Sequence, residues 1–346
     1  MVTKLNFGDP EFRNKLYSSP IYLQLDLTNK CNMNCEYCYN KHFVCGQELT
    51  DDQFLELSDQ ILKDIKPLFV TFSGGEPFVR KNILFKLAKI FKEKEIEVYV
   101  NTNGTLINEE IAKKIGELKI DKVSINIESL DKEEHEKLRG LSGCWDRSLN
   151  SIELLKKYAP NCNVVIRTVV NKKNYLEVEK IANFVKSLGL KEYMLIDFIP
   201  KADDQHLMLN KEEWAEFYKK YLNIKKLGLR IVPNHAILFL ERTRNIDVPF
   251  CMAGRIKLII NANGDVVPCN HLKEKQFVAG NVLKENLKDI WENSKILKEF
   301  RELVPEKCSG CGFKNQCSGG CHAMAYYVAG DYKARDPYCE MGLKNE

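Results

Sequence analysis

The chain has 346 residues, of which 44% are hydrophobic and 29% charged, and this composition predicts a globular protein of about two domains. Its formal net charge of +4 is too small to indicate nucleic acid or an anionic membrane as a partner. No apolar stretch is long enough to span a membrane and no signal-peptide pattern begins the chain, so we expect a cytoplasmic protein. The thirteen cysteines are then expected to be metal ligands or catalytic groups rather than disulfides.

After an N-terminal segment (residues 1–20), short β-rich stretches alternate with amphipathic helical ones up to about residue 210. The predicted strands are 21–27, 68–73, 97–101, 122–128, 163–170 and 192–199, and the predicted helices are 51–65, 81–94, 108–117, 148–157 and 174–188. Thr50 and Gln53 form a capping-box pattern at the start of the first helix. Six strand–helix units predict an α/β fold with parallel pairing, and we expect a partial (β/α)6, TIM-like barrel over 21–210. Periodicity alone leaves a doubly wound sheet as the alternative.

A cysteine cluster follows the first predicted strand, at the end where parallel α/β folds place their chemistry. Cys31, Cys35 and Cys38 have the spacing Cys-x3-Cys-x2-Cys. An iron–sulfur cubane needs about four ligands, so three thiolates leave one iron open for a group that is not protein. A zinc site that lacks its fourth ligand is the alternative interpretation.

A glycine-rich turn closes the second predicted strand in the run Ser-Gly-Gly-Glu-Pro. Gly74 and Gly75 allow the backbone to approach a ligand closely, and Glu76 places an acceptor carboxylate beside them. The arrangement suits the ammonium group of an amino-acid-like ligand. By itself it would also fit an ordinary strand-to-helix turn.

With the cysteine loop after the first strand and this turn after the second, the chain resembles the radical S-adenosylmethionine (radical SAM) superfamily. The resemblance implies that Cys31, Cys35 and Cys38 hold a [4Fe–4S] cluster whose open iron is chelated by the methionyl amine and carboxylate of S-adenosylmethionine. It further implies that Tyr37 packs near the adenine.

The same resemblance assigns further cofactor contacts. Gly74, Gly75 and Glu76 would contact the methionyl amine. Asn126, on the fourth strand, would reach the ribose, and Arg139 would reach the methionyl carboxylate. For Arg139 a solvated cation at a helix end is the alternative.

The second part of the chain has a different pattern. A helix over 211–226 and a strand over 229–232 belong to a bridging region over 211–250. A hairpin is predicted from strands 255–260 and 266–267, which flank the turn sequence 261–265, and a helix is predicted over 287–303.

Seven cysteines in a defined order occupy residues 251–346. The Cys-x2-Cys unit alone would favour zinc. The full order resembles the SPASM extension of radical SAM enzymes, a β-hairpin plus helix that holds two auxiliary Fe–S clusters. The resemblance implies a distal cluster held by four ligands, Cys308, Cys311, Cys317 and Cys339. It also implies a proximal cluster held by three, Cys251, Cys269 and Cys321. For the proximal cluster we predict an open iron.

The implied activity is reductive cleavage of S-adenosylmethionine to a 5′-deoxyadenosyl radical, which then abstracts hydrogen from a substrate. A reductant such as ferredoxin or flavodoxin would supply the electron. The candidate catalytic residues beside the clusters are His271, Asn270 and Cys45.

We expect the substrate to be a peptide or protein that is oxidised or crosslinked. Sulfatase maturation is a less favoured alternative, because that branch carries an aspartate as base where this chain has Asn270. Tetrapyrrole side-chain decarboxylation is the runner-up enzyme activity. An iron–sulfur electron carrier and a zinc-binding adaptor are the non-enzymatic alternatives, and neither needs the turn at Gly74 and Gly75.

Overall fold

The computed structural model describes residues 17–43, 46–201, 203–232, 251–312 and 314–340. These residues form a single sheet of ten strands. The strands are β1 (Tyr22–Thr28), β2 (Phe69–Gly74), β3 (Glu97–Thr102), β4 (Lys122–Asn126), β5 (Asn163–Val170), β6 (Glu192–Asp197), β7 (Arg230–Val232), β8 (Lys257–Ile260), β9 (Asp265–Val267) and β10 (Gly280–Asn281).

The strand order across the sheet is β10-β9-β8-β1-β2-β3-β4-β5-β6-β7. From β1 to β7 each strand pairs in parallel with the next one in sequence. A doubly wound sheet would reverse its strand order at a switch point, so the uninterrupted order identifies the predicted partial barrel instead. Within the described residues the barrel is open, because β7 and β10 are the two edges.

Helices alternate with the strands and pack against the sheet. They are α1 (Asp51–Gln60), α2 (Lys81–Lys92), α3 (Glu109–Glu117), α4 (Lys132–Arg139), α5 (Cys144–Tyr158), α6 (Val178–Ser187), α7 (Lys211–Ile224), α8 (Leu287–Asn293), α9 (Lys295–Glu302), α10 (Lys314–Cys317), α11 (His322–Ala329) and α12 (Pro337–Glu340). In α2, for example, Leu84, Leu87 and Phe91 are buried at helical spacing. The capping box predicted at Thr50 and Gln53 is present at the start of α1.

The six strands predicted for the barrel are all present, with ends that differ by at most a residue or two. The prediction of one helix over 287–303 is wrong, because Ser294 has an extended ψ of 125° that separates α8 from α9. The helix predicted over 51–65 ends as α-helix at Gln60 and continues as a π-helical turn, Ile61–Ile65.

The cysteine-rich part of the chain is joined to the barrel through the sheet itself. The predicted hairpin is confirmed, since β8 and β9 pair antiparallel, and β8 also pairs in parallel with β1. The strand β8 of the cysteine-rich part therefore lies beside the strand that leads into the first cysteine loop. None of the helices in the described ranges is long and apolar enough to cross a membrane.

Candidate functional site

A cavity of about 350 Å³ opens where the strands of the barrel end. It is lined by the loop after β1, by the ends of β2 to β6, and by two residues of the cysteine-rich part, Asn270 and His271. Its size is in the usual range for small-molecule sites. A larger surface hollow of about 660 Å³ has Leu68 and Glu97 in its wall but no cysteine. The first cavity is therefore the candidate site because of the cysteines that line it and not because of its size.

All three cysteines of the first loop line this cavity. Cys31 is exposed, Cys38 is partly buried and Cys35 is buried, and none of them is in a disulfide. Burial raises the pKa of the Cys35 thiol to about 12, the Arg139 guanidinium opposes that rise, and the other two thiols add to it. Thiols this close together favour a shared cationic ligand, which relieves their mutual repulsion when they ionise.

The glycine turn after β2 packs directly against the segment that leads into the cysteine loop. A Cβ at Gly74, whose φ is +118°, would lie 2.3 Å from the carbonyl oxygen of Thr28, and one at Gly75 would lie 2.2 Å from that of Lys30. The Gly75 amide donates to the Thr28 carbonyl at 2.7 Å. Only glycine fits at either position, so this turn and the cysteine loop form a single wall of the cavity.

Glu76 lies behind this wall rather than in it. Its carboxylate is fully buried and accepts hydrogen bonds from the amides of Phe78 and Asn103 and from the Thr102 hydroxyl, at 3.1, 2.8 and 2.8 Å. Burial raises its pKa, and these hydrogen bonds oppose the rise. The carboxylate thereby fixes the end of β3, and its contact with a methionyl amine stays a prediction.

Tyr37, Asn126 and Arg139 all line the cavity and belong to one buried hydrogen-bond network. The Tyr37 hydroxyl donates to Oε1 of Glu128 at 2.5 Å and accepts from Nη1 of Arg139 at 2.6 Å. The Asn126 amide donates to the same Glu128 oxygen at 2.9 Å. Arg139 also keeps its Nε buried without a hydrogen-bond partner, so it retains a donor for a ligand.

The helix that carries Arg139 was not among the predicted elements. Asp131 caps the start of α4 by accepting from the amide of Glu134, and Gly140 ends it with a φ of +63°. A Cβ at Gly140 would lie 2.2 Å from the carbonyl oxygen of Asn34. The end of α4 is therefore held against the cysteine loop, which excludes the solvated-cation interpretation of Arg139, whose side chain is only 7% exposed.

Another part of the cavity wall comes from the cysteine-rich part of the chain. The Asn270 side chain hydrogen-bonds Tyr39, and the His271 ring lies 4.7 Å from the Tyr39 ring. The His271 carbonyl accepts from Lys201 Nζ at 2.8 Å and from the Tyr327 hydroxyl at 2.7 Å. Two of the three candidate catalytic residues thus face the cavity. The third, Cys45, lies outside the described residues.

The three cysteines predicted for the proximal cluster lie near one another. Burial raises the pKa of Cys251 to about 11, and the Cys269 thiol adds to that rise; burial also raises the pKa of Cys321, to which both other thiols contribute. Sγ of Cys321 accepts from the Met324 amide at 3.4 Å at the start of α11, and Sγ of Cys269 accepts from the His271 amide at 3.5 Å. Amide donors and a helix N-terminus favour thiolates over thiols, which fits iron ligands.

The four cysteines of the predicted distal cluster lie on short segments of the cysteine-rich part. Cys308 and Cys339 are buried, and the Cys311 amide donates to the Cys308 carbonyl at 3.0 Å. Across the described ranges, no set of three or more His, Cys, Asp or Glu side chains converges on a position for a single metal ion. A cubane does not need such convergence, because each thiolate ligates its own iron. The distal ligand set stays a prediction.

Several side chains of the cavity were not predicted from the sequence. Arg167 and Tyr39 line it, and Lys201 and Lys273 lie behind its wall. For Arg167 a signal was present, since it is the one charged residue in the apolar run of β5. The others lie in loops, where the sequence carries no periodicity to indicate their direction.

Comparison with known proteins agrees with this arrangement. A family model described as the radical SAM superfamily matches residues 25–185, and one described as an iron–sulfur cluster-binding domain (SPASM) matches residues 251–312. The AdoMet-dependent heme synthase of Methanosarcina barkeri is 28% identical over 345 residues, covering 93% of this chain and 97% of that protein.

Two further comparisons cover most of the chain. The mycofactocin maturase MftC of Mycobacterium tuberculosis is 26% identical over 345 residues, covering 94% of this chain and 84% of the relative. The crystal structure of Streptococcus suis SuiB bound to precursor peptide SuiA has a TM-score of 0.76 at 18% identity, and covers 95% of this chain and 78% of SuiB. At that identity the likeness to SuiB concerns the fold.

Proposed function

The chain is a radical SAM enzyme with an iron–sulfur SPASM domain, and we propose that it forms its radical in the cysteine-lined cavity and uses it to oxidise or crosslink a peptide or protein. One observation carries this proposal. Cys31, Cys35 and Cys38 share a single cavity with the turn at Gly74 and Gly75, which was identified independently as a ligand-approach site. A structural metal site would have no use for that turn.

The residues present fit the iron–sulfur cluster that the family carries. Three thiols without a disulfide line the cavity, and the charge of Arg139 favours their ionised form. Cys31, Cys35 and Cys38 would hold the cluster. When bound, it supplies one electron to S-adenosylmethionine, which gives methionine and the 5′-deoxyadenosyl radical.

The remaining residues of the cavity would orient the cofactor and exclude water. The backbone at Gly74 and Gly75 would lie along the methionyl group, because no side chain stands between it and the cavity. Arg139 would bind the methionyl carboxylate through the Nε that the protein leaves without a partner. Tyr37 positions Arg139 through its hydroxyl and is buried beside Cys35, Leu138 and Phe198.

In the cysteine-rich part, we propose a proximal auxiliary cluster held by Cys251, Cys269 and Cys321, with one open iron. The amide donors to Cys269 and Cys321 support this ligand set. A distal cluster would be held by Cys308, Cys311, Cys317 and Cys339. Two such clusters would remove the electron left on the substrate after hydrogen abstraction. A ferredoxin- or flavodoxin-type reductant would supply the electron that starts each turnover.

The relatives support two substrate classes. The name of the maturase and the precursor peptide in the SuiB structure favour a peptide or protein. The heme synthase favours side-chain decarboxylation of a tetrapyrrole, and the present chain spans nearly its whole length. Sulfatase maturation is not favoured, because Asn270 cannot accept a proton from the substrate and already hydrogen-bonds Tyr39.

The test is anaerobic reconstitution with iron and sulfide, followed by dithionite and S-adenosylmethionine. We expect 5′-deoxyadenosine from the wild type and from Cys162→Ala, which is remote from the cavity, and none from a variant with Cys31, Cys35 and Cys38 all changed to alanine. Product formation by that triple variant would refute the site. A peptide that loses a hydrogen pair, or a porphyrin carboxylate that loses carbon dioxide, would then identify the substrate class.

A further inference from the structure

Arg167 is a cation in the interior of the barrel. It lies on β5, where it is in register with Asn126 on β4, and both side chains line the cavity together with Val169. Because alternate residues of a strand face the same side, Arg167 and Val169 both project into the barrel. The rest of β5 is apolar apart from Thr168 and the terminal Asn163, so a guanidinium here has no obvious structural purpose.

Among the described residues, Arg167 has no carboxylate as a hydrogen-bond or ion-pair partner. Its Nε is buried without a hydrogen-bond partner. The two buried carboxylates nearby are engaged elsewhere, Asp26 with Lys273 at 2.7 Å, and Glu128 with the Tyr37 hydroxyl at 2.5 Å and with Nη1 of Arg139 at 3.7 Å. In the described part of the chain no carboxylate lies within ion-pair distance of Arg167. Arg167 is half-buried, and a buried guanidinium nitrogen without an acceptor is costly, so its Nε indicates a ligand that supplies the missing acceptor.

The two arginines of the cavity serve different parts of it. Burial raises the pKa of both the Cys31 and the Cys35 thiols, and in each case Arg139 is the cation that opposes the rise. Burial likewise raises the pKa of Tyr39, and there the opposing cation is Arg167. Arg139 therefore acts on the thiols of the cysteine loop and Arg167 on Tyr39, while the Glu128 carboxylate favours the charged form of both arginines by raising their pKa.

We propose that Arg167 binds a carboxylate of the substrate through paired hydrogen bonds from its guanidinium. The fork of N–H donors in arginine matches the two oxygens of a carboxylate, and such charged pairs are stronger than neutral hydrogen bonds. The carboxylate can belong to a peptide, at an acidic side chain or the C-terminus, or to a propionate of a tetrapyrrole. The inference rests on the proposed function only in taking this cavity as the substrate site.

The first experiment measures binding to the reconstituted enzyme in the presence of S-adenosylmethionine. The probes are a porphyrin tetracarboxylate with its methyl ester, and an acidic pentapeptide with its fully amidated form. We expect at least one acid to bind the wild type more tightly than its neutral partner. Arg167→Gln should weaken the binding of that acid by roughly ten- to a hundredfold and leave the binding of the neutral form unaffected. The affinity of Arg167→Lys for the acid should lie between those of the wild type and Arg167→Gln.

Arg147→Gln is the matched control, since Arg147 is exposed and, among the described residues, donates to the backbone carbonyls of Ser142 and Gly143. If neither acid binds the wild type better than its neutral form, or if Arg167→Gln weakens acid and neutral form alike, the proposal is overturned. A preference for the porphyrin identifies a tetrapyrrole as the source of the carboxylate, and a preference for the peptide identifies a peptide.

The second experiment measures melting temperature without any substrate. Because no described carboxylate lies within ion-pair distance of Arg167, Arg167→Met should melt at or above the wild-type temperature. A lower melting temperature would show that the guanidinium has a structural partner, and would overturn the proposal. Both readouts are separate from 5′-deoxyadenosine formation: an enzyme that binds the acid through Arg167 but makes no 5′-deoxyadenosine would refute the proposed function and leave this inference standing.

Discussion

A buried ion pair joins the barrel to the cysteine-rich part of the chain. Lys273 Nζ lies 2.7 Å from Oδ2 of Asp26, in the middle of β1, and the two side chains are 4% and 0% exposed. Asp26 also accepts from Gln24 Nε2 at 2.9 Å, and Lys273 donates to Asn40 Oδ1 at 2.9 Å. Each charge therefore has one strong partner and one neutral hydrogen bond.

We expect Lys273→Met to lower the free energy of unfolding by about 3–5 kcal/mol, because it leaves the Asp26 carboxylate buried with Gln24 as its remaining side-chain partner. The double variant Asp26→Asn, Lys273→Met should recover most of that loss. It removes both charges together, and replacing a buried pair by neutral groups is often close to neutral in stability. The difference between the single and double variants measures the coupling of the two residues.

The assay is urea unfolding of the reconstituted proteins under anaerobic conditions, followed by tryptophan fluorescence. The matched control is Lys132→Met, which breaks a pair of similar length to Asp146 whose side chains are 52% and 65% exposed. Solvent screens that pair, so its loss should change stability little. A loss for Lys273→Met no larger than that for Lys132→Met, or a double variant less stable than both singles, would refute the reasoning.

Three further predictions concern the cavity. Gly75→Ala should lower iron content and affinity for S-adenosylmethionine, both measured after reconstitution, because its Cβ would meet the Lys30 carbonyl oxygen at 2.2 Å. Tyr37→Phe should weaken S-adenosylmethionine binding by about tenfold in equilibrium dialysis, since it removes the hydroxyl that positions Arg139. Burial lowers the pKa of Lys201 to about 7 from 10.5. Between those values Lys201 is protonated in the unfolded chain and neutral in the folded one, so it contributes a rise in stability with pH of up to about 1.4 kcal/mol per unit, and Lys201→Met should remove that contribution.

Each of these has a matched control. Gly46→Ala adds a Cβ that meets no atom within 4 Å, so equal iron content in the two alanine variants would contradict the first prediction. Tyr158→Phe removes a hydroxyl at the end of α5, outside the cavity lining, and an equal affinity of both phenylalanine variants would contradict the second. An equal change of stability with pH in the wild type and in Lys201→Met would contradict the third.

Local sequence pattern was enough to predict the barrel strands. Each is a run of β-branched and apolar residues bounded by turn signals, and the order of elements then required parallel pairing. The same reasoning failed at Ser294, where the apolar spacing continues across a break in the backbone that one extended residue creates. It also passed over α4, although Asp131 and Gly140 supplied both of its caps.

The candidate site, like the fold, could be predicted from the sequence only in part. The cysteine loop and the turn at Gly75 are each a short run of the sequence, so the spacing of residues within each could be read directly. The partners of Lys273 could not, because Asp26 lies 247 residues earlier and only the pairing of β8 with β1 brings the two parts of the chain together. The sequence shows Arg167 as a charge in an apolar strand. That no described carboxylate pairs with it can be learned only from the folded structure.

The partners of the buried cations distinguish their roles. Lys273 is paired with Asp26 and can contribute to stability, whereas Lys201 donates to a backbone carbonyl and can hold the wall at His271. Arg139 has the Tyr37 hydroxyl and the Glu128 carboxylate as partners and an Nε without one, which suits a cofactor that arrives with its own carboxylate. Arg167 has no anion from the described protein. If this charge served stability alone, we would expect a carboxylate beside it. The missing partner is therefore expected to be a carboxylate of the substrate.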